Sequence, residues 1–155
     1  MDHFQHTLVL AASPAAVYAA LATPAGLRGW WTEDCDVAVE TGGELRFRFG
    51  ANHKEMRIEH LEPGREVRWL CIGAHIAAGQ LARRDEWVGT RLVFRIAAEG
   101  EGRTRLEFEH LGLVPAFQCY GLCSNGWRHY LTSLQRFVET GVGTPHRLPA
   151  VALAA

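Results

Sequence analysis

From residue 37 to residue 110 the chain keeps changing sides. Leu45, Phe47 and Phe49 alternate with Arg46 and Arg48, and Val67, Trp69 and Cys71 alternate with Arg68, Leu70 and Ile72. Leu92, Phe94 and Ile96 alternate with Arg91, Val93 and Arg95; Leu106, Phe108 and His110 alternate with Arg105, Glu107 and Glu109. Strand side chains point to opposite faces at a period of two, so these runs predict strands with one apolar and one wet face. Met56, Ile58 and His60 read as one more such set. The turns Glu62-Pro63-Gly64 and Glu99-Gly100-Glu101-Gly102 separate the runs into an antiparallel meander. A sheet of this kind must bury its apolar face against another element.

One large element is available. Cys123, Trp127, Tyr130, Leu131, Leu134 and Val138 recur at three and four, the stripe of a long amphipathic helix over residues 116–139, with Gly141 as its terminator. Ahead of the meander, residues 4–10 read as a first strand. Ser13-Pro14 and Thr23-Pro24 each offer an N-cap followed by proline at the first helical position, predicting two short helices. The expected architecture is α+β: a curved antiparallel sheet of about six to seven strands around a long C-terminal helix, with two short helices after the first strand. A curved sheet gripping one helix leaves a cavity where side chains do not fill the concavity, and such apolar clefts are the default ligand sites.

At 155 residues this is about one domain's worth, assigned to residues 1–147, with 148–155 expected as a flexible tail. Residues 73–86 are open between a helical turn and a loop over the sheet. Sixteen basic against seventeen acidic residues, interleaved along the strands, argue against nucleic-acid binding. Lys54 is the sole lysine, which we read as the codon bias of a GC-rich bacterial genome rather than as chemistry. The four cysteines, Cys35, Cys71, Cys119 and Cys123, show no CxxC spacing, and no apolar run approaches a membrane span or a signal peptide; a cytoplasmic chain with reduced thiols is expected.

Several segments together resemble the START-like (SRPBCC, helix-grip) superfamily, and within it the Hsp90 ATPase activator homologue-like proteins. They are Ser13-Pro14-Ala15-Ala16-Val17-Tyr18-Ala19-Ala20-Leu21, Gly29-Trp30-Trp31-Thr32, Gly42-Gly43-Glu44-Leu45-Arg46-Phe47, Glu86-Trp87-Val88-Gly89-Thr90, His110 with Gly112, and Cys123-Ser124-Asn125-Gly126-Trp127 with Tyr130, Leu131 and Leu134. The resemblance implies the helix-grip fold and a hydrophobic cavity, and it implies no particular activity. The eukaryotic chaperone activator carries a separate chaperone-contacting domain for which these residues leave no room, so chaperone activation is not expected to carry over.

The alternation sets His60, Cys71 and His110 on the apolar side, with His110 facing the helix near Cys123 and Trp127. A buried imidazole must find hydrogen-bond partners. His110 is therefore a core histidine, a polar anchor for a ligand, or an acid/base. Of the five tryptophans, Trp30 and Trp31 are adjacent, so at most one of these two rings can enter the cavity. The candidate ligand-binding set is Trp31, His60, Trp69, Phe94, His110, Cys123, Trp127 and Tyr130. A zinc site from His110, Cys119 and Cys123 lacks a recognised ligand spacing, so no metal and no cofactor are expected. The leading functional expectation is a binding protein for a small apolar or amphipathic molecule, lipid-like or aromatic. The rivals are a polyketide cyclase/aromatase-like enzyme using His110, and a protein-interaction or chaperone-associated module. The last would expose an apolar patch at Trp30-Trp31 or Leu111-Gly112-Leu113 and could include a homodimer.

Overall fold

A computed structural model describes residues 3–77 and 81–148. Chain order is β1 (Phe4–Leu10), α1 (Pro14–Ala22), α2 (Pro24–Trp30), β2 (Cys35–Val37), β3 (Glu44–Phe49), β4 (Asn52–Glu62), β5 (Glu66–His75), β6 (Arg91–Ala98), β7 (Thr104–Leu111) and α3 (Tyr120–Thr140). The seven strands form one antiparallel sheet in the order β1-β7-β6-β5-β4-β3-β2. This is the expected helix-grip α+β architecture. No helix among the described residues is long and apolar enough to cross a membrane.

Both short helices begin where the cap-and-proline pairs stand. The Ala16 amide donates to Ser13 Oγ at 3.1 Å, and the Gly26 amide donates to Thr23 Oγ1 at 3.0 Å. α2 then packs closely on two sides. A Cβ at Gly26 would lie 2.5 Å from the Ala19 carbonyl oxygen, so glycine is required where α2 meets α1. Ser133 on α3 donates to the Trp30 carbonyl at 2.7 Å, which fixes α2 against the long helix.

The stripe on α3 faces the sheet: Cys123, Trp127, Leu131 and Leu134 are buried. The helix starts at Tyr120, four residues later than the stripe suggested. Its N-terminus is capped from outside, because the Glu86 carboxylate accepts the Gln118 and Cys119 amides, each at 3.2 Å. An anion at that end also suits the helix dipole. Gly141 ends the helix at φ 85°, its amide donating to the Phe137 carbonyl at 2.8 Å.

Two expectations are corrected. His60 is exposed and sits 3.7 Å from Glu62, because β4 and β5 slip in register between Ile58 and His60. Glu59 is the extra residue, and such a bulge turns every later side chain on the strand over, so Leu61 packs on the core in place of His60. The apolar surface patch is also not seen among the described residues: Trp30, Trp31 and Leu113 are buried and Leu111 is half-buried. In the segment left open, β5 runs on to His75, and residues 81–90 form bends and turns tied to the turn that precedes α3, with the Ala82 and Arg83 amides donating to Gln118 Oε1. In the expected tail, Leu148 is tied by its amide to Glu33, and residues 149–155 lie outside the described residues.

Candidate functional site

The concave face of the sheet is covered by aromatic rings. Trp30 stacks on Trp31 at 5.6 Å between centroids, Trp31 on Trp127 at 5.4 Å, and Trp127 on Trp87 at 5.8 Å. Trp69 stacks beneath Trp31 at 6.1 Å and meets Phe94 edge-on at 5.3 Å. Offset stacks of this kind add about 0.5–1.5 kcal/mol each beyond the area they bury.

The rings stop short of filling the concavity. A cavity of about 180 Å³ remains between α3 and the strands β3 and β4, reaching Ile76 just past β5 and the loop that carries Trp87. Trp31, Trp87 and Trp127 form much of its wall, and Phe49, Ile76 and Tyr130 add to it. Cys123, Gly126 and Leu122 contribute the α3 side, and Lys54 and Asn52 the β4 side. Gly126 adds no side chain to this wall, and a Cβ there would meet nothing within 4 Å. An engineered cavity of about 150 Å³ lined by apolar side chains holds benzene. The space here accordingly suits a single ring with a short substituent better than an extended acyl chain.

The residues singled out from sequence fall into three groups. Trp31, Cys123, Trp127 and Tyr130 line the cavity. Trp69, Phe94 and His110 are buried behind it, in the packed core. His60 is outside. The Lys54 side chain, set aside as a matter of codon usage, lines the cavity, as do Trp87 and Phe49. Lys54 could have been found by carrying the alternation two residues back from Met56 and Ile58, which share its face.

His110 is fully engaged. The Trp127 indole N–H donates to Nδ1 at 3.0 Å. Indole is only a donor, so Nδ1 accepts and the imidazole proton resides on Nε2, where it points at Thr90 Oγ1 at 2.8 Å. The Thr90 hydroxyl in turn donates to the Trp87 carbonyl at 2.5 Å. Burial drives the imidazole pKa down to about 3, helped by the positive charges of Lys54 and His3. This neutral ring therefore locks α3, β7 and the Trp87 loop together and has no nitrogen left for a ligand.

Lys54 differs. Its Nζ sits 4.6 Å from the Trp87 ring centroid and 4.7 Å from that of Phe49. Contacts of that type are worth about 0.5–2 kcal/mol, the upper end applying out of water. No carboxylate of the described residues pairs with it, and loss of water around the ammonium lowers its pKa. Its titratable neighbours are thiols, Cys123 first, then Cys71 and Cys119.

The thiols behave unequally. Cys123 Sγ accepts the Trp87 indole N–H at 3.2 Å. A hydrogen bond from the Cys119 thiol, reinforced by Trp87, holds Cys123 below the usual thiol range, and the same bond together with burial holds Cys119 above it. Burial pushes Cys71 up to about 12. Among the described residues no cluster of three or more His, Cys, Asp or Glu side chains is arranged to hold a metal ion.

Comparison with known proteins places these features. The family described as Activator of Hsp90 ATPase homolog 1-like protein matches residues 11–139. No curated protein matches this chain. The solution structure of the Aha1 dimer from Colwellia psychrerythraea superposes with a TM-score of 0.76 at 29% identity, over 92% of this chain and 100% of that one. DynU16, from the dynemicin biosynthetic locus, gives 0.70 at 18% identity over 92% of this chain, which spans 49% of DynU16. PFC0360w, an HSP90 activator from Plasmodium falciparum, gives 0.63 at 14% identity over 84% of this chain and 91% of that one. The last two share the fold alone. With 11–139 matched and the helix-grip architecture in place, the chain belongs to the Activator of Hsp90 ATPase homolog 1-like family of the START-like superfamily.

Proposed function

We propose that this protein binds a small, flat, largely apolar molecule between α3 and the sheet. The observation that carries the proposal is the aromatic-walled space of about 180 Å³ that the core leaves open. Burial of ligand surface there is favourable by about 25 cal/mol per Å² before ordering costs. The wall is already packed, so little ordering is required of the protein. Benzyl alcohol tests this directly. Saturable quenching of tryptophan fluorescence, with shifts confined to the indole N–H signals of Trp31, Trp87 and Trp127, is the expected result. A linear, non-saturating response counts against it.

The cyclase/aromatase reading needs an acid/base at the cavity wall. His110 does not line the cavity, and both its nitrogens are bonded to protein, so that reading has lost its candidate group. A chaperone-associated role is supported by the family match over residues 11–139, whose description is Activator of Hsp90 ATPase homolog 1-like protein. Self-association is supported by the dimeric state of the Colwellia relative. Light scattering that returns twice the 17.2 kDa chain mass would support a homodimer, and a species of 17.2 kDa would end that reading.

A further inference from the structure

We infer that the cavity is built for an anionic ligand, a flat ring bearing a carboxylate, and that Lys54 is the group that receives the charge. The inference rests on the binding reading above and adds the chemical class of the guest. Lys54 comes from β4, and its inward face is set by the same alternation that buries Met56 and Ile58. Its ammonium is presented to the cavity between the Trp87 and Phe49 rings. A cation in such a place ordinarily has a carboxylate beside it, because ring faces replace only part of its lost hydration. Here none of the described residues supplies one. On the outer face of the sheet, by contrast, Arg48, Arg91 and Arg95 pair with carboxylates.

The rest of the wall is complementary to a ring. Trp31, Trp127 and Tyr130 offer aromatic surface, and Gly126 leaves space opposite them. A single-ring acid would place its ring against these groups and its carboxylate on Nζ, completing the pair that the protein alone lacks. A charge-assisted hydrogen bond shielded from water is stronger than a neutral one, and salt screens it less than a surface pair.

The test compares benzoate with benzyl alcohol, which share a ring and differ in charge, by calorimetric titration of the full chain and of Lys54→Met. The wild type should bind benzoate about tenfold more tightly than benzyl alcohol, the difference a hydrogen bond to a charged group makes. That preference should persist when salt is raised from about 0.1 M to about 0.5 M, a range in which surface attraction is screened away. In Lys54→Met the two affinities should become equal, while a far-ultraviolet circular dichroism spectrum and a cooperative thermal transition like those of the wild type show that the variant is folded. Retention of the preference in Lys54→Met, or its loss in salt, would place the carboxylate elsewhere and overturn the inference. Binding of benzyl alcohol without benzoate overturns the anionic class and leaves the cavity reading standing. Binding of neither compound overturns both.

Discussion

Acid should act on this protein through His110 well before its carboxylates titrate. The folded imidazole has a pKa of about 3, against 6.5 when free. Below pH 6.5 the unfolded chain takes up a proton that the folded chain refuses, so stability is complete above that pH and falls as the pH drops towards 3. The full separation corresponds to about 5 kcal/mol, at about 1.4 kcal/mol per unit. About 2 kcal/mol of this is already lost at pH 5, a shift of about 1 M in the urea midpoint for a slope of about 2 kcal/mol per M. The assay is urea unfolding at pH 7.5, 6 and 5 for the wild type and for His110→Gln. Glutamine can accept from Trp127 and donate to Thr90 but cannot be protonated. His110→Gln should be less stable at pH 7.5, and its stability should fall less steeply between pH 7.5 and 5. The remaining histidines contribute alike to both proteins, so the difference isolates position 110. Parallel curves would show that the imidazole is not held neutral and would refute the bonding scheme drawn from Trp127 to Thr90.

Other outcomes follow from single contacts. Trp127→Phe removes the donor to His110 Nδ1, whereas the buried Trp69 indole N–H has no hydrogen-bond partner. Thermal unfolding should therefore show Trp127→Phe about 1–3 kcal/mol worse than Trp69→Phe, and equal losses would contradict that. Glu86→Gln should cost about 0.5–2 kcal/mol by weakening the cap on α3, an effect that high salt should reduce. Gly26→Ala should destabilise by about 1–3 kcal/mol in chemical denaturation, because its methyl would press on the α1 backbone; a gain in stability would contradict the close approach of the two helices.

The elements were legible because local rules and tertiary needs agree in them. Ser13-Pro14 and Thr23-Pro24 start helices whatever surrounds them, and the period-two runs leave no alternative to a one-sided sheet. The site was legible mainly where it shares the helical stripe: Cys123, Trp127 and Tyr130 were visible as the inward face of α3, with Trp31 added from the aromatic pair after α2. His60 was misplaced because a bulge is a property of pairing between two strands, and β4 alone carries no mark of it. The start of α3 was misjudged for a related reason, since its cap is Glu86, more than thirty residues away in the chain. Lys54 was passed over because a single lysine among many arginines reads as codon usage. Only the approach of Trp87 from a distant loop shows that it is enclosed.

Space at Gly126 offers the most direct test that the interior admits a guest. Gly126 lines the cavity and a Cβ there would meet nothing within 4 Å, so a large side chain at this position should take up its space. Replacing a helical glycine also favours folding by about 0.5–1 kcal/mol. Titration of benzyl alcohol into the wild type and into Gly126→Phe, followed by the indole N–H signals, should show saturable binding in the first and none in the second, with the variant at least as thermostable. Equal binding by both proteins would place the ligand outside this cavity and contradict the account.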